Sequence, residues 1–342
     1  MAEQADDKQN MKPIDPEHPP MRVWLEVTRL SNLPTVLSNV LVGLAMALEV
    51  YGRPIWGGYP RVEQDHVTLW RVLIHDGWPV LIAMAMFYCA GMVLNDVFDR
   101  AYDRERRPER PIPSGRLATR TAVIATVVFA LIGMFVIART GLWPTVFSAA
   151  LLVSIVAYNA LHRRWAWTVA FMGINRGGVY VVAAAVTAAA VAAAPVAVPM
   201  SAYWAAFGRI VLPFAIILAL YTAAMTYLAR RENDAEVGRR RLLAWALPVL
   251  AIAGMMSVVP TTVEMVALAA VVGLCVLLWL GRCAQQYSDG PPHTRPAVMG
   301  WLAGMCLIDA YFLSLMGRPA FAGVALVCFG ATLLWQRRVT GT

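Results

Sequence analysis

The sequence has little charge for its length. Only 15% of its 342 residues are Asp, Glu, Lys or Arg, whereas a soluble globular chain carries about 25%. The mean hydropathy is +0.58, and the two values together exclude an ordinary water-soluble domain. A helix of about 20 apolar residues crosses a bilayer, so the composition predicts a polytopic membrane protein.

Cysteine is also scarce, and its placement excludes two kinds of site. The five cysteines form no CxxC pair, and four of them lie inside apolar runs while the fifth ends one. They are Cys89, Cys275, Cys283, Cys306 and Cys328. We interpret them as small buried hydrophobic residues and not as disulfides or metal ligands.

The N-terminus lacks the apolar segment of a secretion signal. Residues 1–20 are polar and contain several prolines, so we expect a disordered cytoplasmic tail. No Pro- or Ser-rich linker divides the hydrophobic segments that follow. We therefore expect a single transmembrane domain over residues 21–342.

Apolar segments recur along that domain with regular breaks, which predicts an all-α bundle of nine or ten transmembrane helices. The predicted spans are 34–50, 78–95, 120–139, 143–161, 167–191, 205–228, 241–259, 263–281, 298–316 and 319–336. Only Gly317, Arg318 and Pro319 divide the last two spans. Residues 21–33 have the pattern of an amphipathic helix at the membrane interface.

The net charge of +8 comes mainly from arginines in short loops, which indicates membrane orientation and not nucleic-acid binding. Loops 96–119, 162–166 and 229–241 are basic, while loops 192–204 and 258–262 contain no Lys or Arg. The basic set should be cytoplasmic; loop 51–77 is an exception to the alternation. The Ala- and Arg-rich composition is typical of a prokaryote, so we expect a bacterial inner membrane.

One motif at the end of the second span carries chemistry. Asp96, Asp99 and Asp103 are three and four residues apart, so a helix places them on one face, with Asn95 beside it. Three neighbouring carboxylates at a membrane edge are costly without a positive charge among them. Magnesium, which binds one or two carboxylates together with substrate phosphates, suits such a site. The alternative is a solvated helix end that its own arginines neutralise.

The segment after this motif is rich in Arg and Pro. Residues 104–117 read RERRPERPIPSGRL, and the prolines end the helix and restrict the loop. A guanidinium group can bind phosphate oxygens in a bidentate manner. Arg104 and Arg110 are therefore candidate diphosphate ligands.

Together, residues 95–115 resemble the first signature of the UbiA superfamily of intramembrane prenyltransferases. Residues 158–164 and 171–177 resemble a second stretch of that family, with Arg163 and Arg176 at its basic positions. A weaker likeness covers Arg29, Asn32, Pro34 and Asn39.

The resemblance implies a helical bundle around a central cavity with Asp-rich motifs at its cytoplasmic mouth. Mg²⁺ would hold a prenyl diphosphate, whose diphosphate leaves before an acceptor attacks the allylic cation. The implied catalytic residues are Asp96, Asp99 and Asp103, which with Asn95 are also metal ligands. The implied diphosphate ligands are Arg104, Arg110, Arg163 and Arg176, and the implied cavity residues are Asn32, Asn39, Tyr158 and Tyr221.

The second acidic motif is where this sequence departs from the family. Thr222, Thr226 and Ala229 stand where acidic residues are expected. Glu232 and Asp234 remain as candidate ligands, and Glu232 is favoured. The presence of a second Mg²⁺ stays open, and this stretch looks closest to the EboC-like branch of the family.

The partners implied are a prenyl diphosphate donor, an unidentified acceptor and membrane lipid, with no nucleic acid. Two alternatives remain, namely phosphoribosyl transfer to a polyprenyl phosphate and a non-catalytic lipid-binding or transport protein on the same fold. Asp309 lies inside the ninth predicted span, and we expect it to face the cavity or to pair with an arginine.

Overall fold

The computed structural model describes residues 19–52, 74, 77–192, 200–232, 234, 237–253 and 262–338. Helices and turns account for all of the structure in these residues. The helices are α1 (Met21–Val27), α2 (Leu33–Gly52), α3 (Trp78–Arg106), α4 (Thr119–Ala138), α5 (Leu142–Leu161), α6 (Val169–Ala192), α7 (Met200–Ala229), α8 (Arg240–Ile252), α9 (Val263–Ser288), α10 (Thr294–Leu315) and α11 (Pro319–Arg338). Short 3₁₀ turns at Leu30–Asn32 and Ala166–Thr168 precede α2 and α6.

The predicted all-α bundle is confirmed. Within the described ranges, nine helices are long and apolar enough to cross a membrane. Helix α8 has only 13 residues, and residues 254–261, which complete the seventh predicted span, lie outside the described part. Most of the predicted tail, residues 1–18, also lies outside it, as does most of loop 51–77.

Two helices form the centre of the bundle. In α2 and α10, 83% of the apolar window is buried, against 22% in α4 and α11. The outer helices expose Leu131, Phe135 and Val327, and such side chains are stable when lipid surrounds them. The polar interior therefore lies around α2 and α10, out of contact with lipid.

Helices α6 and α7 approach each other closely because two glycines face α7. A Cβ atom at Gly173 or Gly177 would lie 2.4 Å from the carbonyl oxygen of Ala219 or Ala215. Glycines four residues apart on one face permit this spacing in membrane helices. The close contact brings the cavity-facing side of α6 next to α7.

The predicted interfacial helix is shorter than its sequence pattern suggests. Helix α1 ends at Val27, and Arg29 adopts a left-handed conformation with φ of 47° before the 3₁₀ turn. This conformation is uncommon for a residue other than glycine. It separates α1 from the 3₁₀ turn that precedes the first span.

Candidate active site

A cavity of about 1230 Å³ opens at the end of the bundle where α3 and α7 terminate. It is bounded by α1, α3, α6, α7, α9, α10, α11 and the loop after α3. Its described lining includes seven arginines: Arg29, Arg107, Arg110, Arg176, Arg282, Arg295 and Arg337. Four carboxylates also line it: Glu26, Asp96, Glu109 and Glu232. The cavity is therefore positively charged overall.

Asp96 is the aspartate of the motif that lines this cavity. It is 4% exposed, and Arg29 donates a hydrogen bond of 2.9 Å to its Oδ1 atom. Arg110 lies 3.5 Å from the same oxygen. The hydroxyl of Tyr88 donates to the carbonyl of Arg29 at 2.8 Å, which holds the left-handed turn in the conformation that brings Arg29 to Asp96.

Asp103, almost two turns later, is more deeply buried. It is 1% exposed, and Arg110 donates to its Oδ2 atom at 2.8 Å. Its Oδ1 atom is buried and has no hydrogen-bond partner. A carboxylate oxygen in that state is unusual because burial without a partner is costly. It is an oxygen donor that is free to take a cation.

Asp99 points away from the cavity, towards the turn between α5 and α6. Arg163 donates to its Oδ1 atom, and the Nε2 atom of His162 lies 3.1 Å from the same oxygen. The Arg163 guanidinium also lies over the ring of Tyr102, 3.7 Å from its centroid. Burial disfavours the charged form of Arg163, but the hydrogen bond and charge of Asp99 outweigh it and raise its pKa.

A narrower apolar slot of about 150 Å³ continues from the main cavity into the bundle between α2, α3, α5 and α6. Asn95 and Tyr158 lie in its wall, and Asn95 donates to the Oδ1 atom of Asn159 at 3.2 Å. The remaining wall is mainly apolar: Val36, Met84, Phe87, Leu151, Ile155 and Val179. Both spaces share the lining residues Arg29, Tyr88, Met92, Met172 and Arg176.

The other predicted cavity residues occupy different positions. Asn32 lines the main cavity and accepts a hydrogen bond from Gln336 at 3.2 Å. Asn39 is fully buried below it and contacts Arg176 and Asp309. Tyr221 is fully buried, donates to the carbonyl of Trp301 at 2.9 Å, and lines neither space.

The end of α7 brings hydroxyl groups, not carboxylates, to the cavity. Thr222 and Thr226 line it, and each donates to the carbonyl four residues earlier. Glu232 follows them, also in the lining. Burial raises the pKa of Glu232, although the positive charges of Arg295 and Arg107 oppose the shift.

Asp234 and Arg104 lie outside the lining of both described spaces, as do Asp99, Asp103 and Arg163. Asp234 is exposed and accepts a hydrogen bond from Arg240 at 2.9 Å. Arg104 is also exposed. Neither is brought to the main cavity by this arrangement.

The donor atoms present fit Mg²⁺ only if phosphate shares the ion. In the described part of the chain, no three His, Cys, Asp or Glu side chains could hold a metal ion together. Magnesium in phosphate-binding sites takes one or two carboxylates and completes its shell with phosphate oxygens and water. Asp96 and the unpartnered oxygen of Asp103 supply hard oxygen donors of that type.

The family follows from a match over most of the chain. Residues 69–291 match the model of the UbiA prenyltransferase family. The chain belongs to this family. As a family member with nine helices of spanning length in its described part, it is an integral membrane protein.

Two curated relatives share sequence with it over part of their length. A 4-hydroxybenzoate octaprenyltransferase from Acidovorax ebreus (strain TPSY) is 30% identical over 178 residues, which cover 48% of this chain and 56% of the relative. A digeranylgeranylglyceryl phosphate synthase from Sulfolobus acidocaldarius is 33% identical over 92 residues, which cover 27% and 32%. The chain thus spans between a third and somewhat over half of the length of these relatives.

The fold is shared with solved structures at low sequence identity. A UbiA homolog from Archaeoglobus fulgidus, solved with GPP and Mg²⁺ bound, has a TM-score of 0.51 and 14% identity. The alignment covers 86% of this chain and 99% of that structure. The likeness shows that the UbiA fold is present in this chain.

Sequence reasoning missed several residues of the site. Arg29 was noticed only as part of a weak likeness, yet it contacts Asp96. His162 was not among the predicted site residues, yet it lies against Asp99. The arginines on α9, α10 and α11 looked like ordinary loop charges, because their convergence on one cavity depends on how distant helices pack.

Proposed function

We propose that this protein transfers a prenyl group from a prenyl diphosphate to an acceptor within the membrane. The observation that carries the proposal is the combination of seven arginines with Asp96 in one cavity that continues into an apolar slot. A prenyl diphosphate has the same two parts, a strongly anionic head and an apolar tail.

The charge of the cavity supports an anionic head group. Seven arginines against four carboxylates leave a net charge of +3 when all are ionised. Arginine binds phosphate oxygens through paired N–H donors. At the junction with the slot, Arg29 and Arg176 would orient the diphosphate so that the prenyl tail enters the bundle.

Asp96, Asp103 and the amide oxygen of Asn95 would hold Mg²⁺ together with the diphosphate, and Asp99 would keep Arg163 and His162 beside them. When bound, Mg²⁺ supplies a Lewis acid that stabilises the negative charge of the departing diphosphate. Arg110 contacts both Asp96 and Asp103. As the ion binds these carboxylates, the Arg110 guanidinium would become available to donate hydrogen bonds to the phosphates. Glu232 is the ligand that we propose for the opposite side.

The slot would accept the prenyl chain and exclude water from the reactive carbon. Its apolar wall includes Phe87 and Tyr158, whose ring faces favour a nearby cation. An apolar slot also limits the access of water to an allylic cation before the acceptor reaches it. This apolar wall favours a prenyl donor over a ribose donor, which would need hydroxyl partners.

We propose that the mouth faces the cytoplasm, because the loops that bound it carry most of the arginines. The acceptor is proposed only by class. The two relatives are named for transfer to 4-hydroxybenzoate and for synthesis of a glyceryl phosphate lipid, so an aromatic acid and a glycerophosphate ether lipid are the first acceptors to test.

The test is Mg²⁺-dependent release of pyrophosphate by the purified protein in lipid nanodiscs. Geranyl, farnesyl and geranylgeranyl diphosphate are offered with each acceptor, and the prenylated product is identified by mass spectrometry. We expect release that stops with EDTA. Asp96→Ala should abolish it, whereas Glu105→Ala, at an exposed carboxylate on the same helix, should not.

Failure to release pyrophosphate from any donor, with the protein folded and Mg²⁺ present, would contradict prenyl transfer. Consumption of phosphoribosyl diphosphate in the presence of a polyprenyl phosphate would then assign phosphoribosyl transfer. Binding of prenyl lipids without turnover would assign a lipid-binding or transport role.

A further inference from the structure

A buried polar cluster lies beneath the main cavity, in the apolar interior of the bundle. Its centre is Asp309, in the second half of α10, with no exposed surface. Both carboxylate oxygens are occupied: Ser38 and Asn39 donate to Oδ2, and the hydroxyl of Tyr180 donates to Oδ1. A carboxylate at this depth is costly, so its partners indicate a function.

Asn39 connects this carboxylate to the cavity. Its amide nitrogen donates to Asp309 at 2.8 Å, and its amide oxygen accepts from Arg176 at 3.2 Å. An amide placed between a carboxylate and a guanidinium has one favourable orientation, because its donor must face the anion and its acceptor must face the cation. Asp309 thus sets the orientation of the group that Arg176 contacts.

Arg176 is the point at which the cluster reaches the proposed substrate. It is 9% exposed and lines both the main cavity and the apolar slot. Besides Asn39, it donates to the hydroxyl of Thr35 at 2.9 Å. Both contacts hold the guanidinium from below, on the side that faces the bundle interior.

The spacing of residues along α2 and α6 explains how the Asp309 carboxylate can control the position of Arg176. Thr35 and Asn39 are four residues apart on α2, and Arg176 and Tyr180 are four residues apart on α6, so each pair lies on one helix face. Asp309 binds α2 through one oxygen and α6 through the other. It therefore fixes the register at which Arg176 meets Thr35 and Asn39.

We infer that Asp309 is a positioning residue, which acts through Asn39 to hold Arg176 at the junction of the two spaces for contact with the donor diphosphate. This inference rests on the proposed function, since it needs a prenyl diphosphate in the cavity. Asp309 itself touches neither space, so its effect on substrate must pass through Arg176.

The test is a double-mutant cycle on binding of a non-cleavable donor, geranyl thiolodiphosphate, with Mg²⁺ and the full chain in nanodiscs. We expect Asp309→Asn to weaken binding about tenfold, which corresponds to about 1.4 kcal/mol. In an Arg176→Gln background, the same substitution should change binding less than twofold. Six other arginines line the cavity, which keeps binding measurable in that background.

A purely structural role for Asp309 predicts a different result. Asp309→Asn would then lower the unfolding temperature and weaken binding equally in both backgrounds, and that outcome would overturn the inference. Ser314→Ala is the matched control, because this buried hydroxyl on α10 bonds only to the carbonyl of Ala310 in the described structure; it should leave binding unchanged.

Tyr180→Phe gives a milder second variant if Asp309→Asn does not fold. It removes one hydrogen bond from Asp309 and keeps the charge, so we expect about threefold weaker binding that again disappears with Arg176→Gln; an unchanged affinity would overturn the inference. A wild-type protein that binds no thiolodiphosphate would instead overturn the proposed function. The two failures are therefore distinguishable.

Discussion

The two helix ends that meet at the cavity mouth are built differently. The end of α3 supplies three buried aspartates, and each of them lies against at least one arginine. The end of α7 supplies Thr222 and Thr226, followed by Glu232. One side is a compact ion-pair network before any ligand binds, whereas the other side has a single carboxylate facing several arginines.

The difference suggests distinct roles for the two sides of the cavity mouth. Removing one partner of a buried ion pair leaves an uncompensated charge, so the α3 side should affect both stability and metal binding. The α7 side has fewer internal partners, so its residues should affect ligand binding with little loss of stability. The following predictions test this contrast.

The largest expected effect is that of Arg110→Gln, which leaves the buried carboxylates of Asp96 and Asp103 without a shared partner. Breaking a buried pair costs on the order of 3 kcal/mol, and we expect a loss of that size in the free energy of unfolding without Mg²⁺. Thermal unfolding in detergent measures it. Arg100→Gln, an exposed arginine on the same helix, is the control, and equal losses in both variants would contradict the ion-pair account.

Asp103→Asn should weaken metal binding more than it weakens the fold. The Oδ1 atom of Asp103 is a buried donor without a hydrogen-bond partner on the α3 side, and loss of a metal-supporting contact costs on the order of 10- to 100-fold in affinity. A Mn²⁺ titration followed by electron paramagnetic resonance, with geranyl thiolodiphosphate present, measures the change. An unchanged Mn²⁺ affinity would remove Asp103 from the metal site.

Glu232→Gln tests the α7 side with a smaller expected effect. It removes the one described carboxylate from that wall, so we expect roughly tenfold slower pyrophosphate release at neutral pH. Asp289→Asn, at an exposed carboxylate beyond the end of α9, serves as the control. If Glu232→Gln turns over like the wild type, the site has no metal ligand on the α7 side.

The smallest expected effect is the dependence of stability on pH in Glu232→Gln. This variant should gain stability, whereas Arg110→Gln should lose it. Burial raises the pKa of Glu232, so the folded state favours the protonated form, and that contribution is lost as pH rises through the raised pKa. Without Mg²⁺, Glu232→Gln should therefore unfold at a slightly higher temperature than the wild type at pH 7.

Below the unfolded-state pKa of about 4.3, the unfolding temperatures should converge. The activity of the wild type should fall as acid protonates Glu232, and this acid limb should be absent in the variant. A variant less stable than the wild type at pH 7 would show that ionised Glu232 is stabilised by its neighbours.

Much of the fold could be predicted from the sequence, because each transmembrane helix corresponds to a local run of apolar residues. Each predicted span falls on a described helix, although α3 and α9 continue well beyond the predicted ends. The second half of the seventh predicted span lies outside the described part. The short α1 was not foreseen, because a left-handed Arg29 has no signal in an amphipathic pattern.

The site was only partly accessible for a related reason. The spacing of Asp96, Asp99 and Asp103 predicts one face, yet Asp96 lines the cavity and Asp99 faces His162 and Arg163. Residues on one face at the end of α3 can therefore contact different neighbouring segments. The partners of each carboxylate therefore depend on helices that are distant in sequence.

By itself, the sequence determined the membrane class, the helical bundle and the acidic and basic segments at the mouth, because these follow from local composition and spacing. Only the tertiary structure decided that seven arginines converge on one cavity, that Asp103 keeps an unpartnered oxygen, and that Asp309 reaches Arg176 through Asn39. Asn39 and Asp309, for example, are 270 positions apart, and such pairings arise from close packing of helices, which no local pattern encodes.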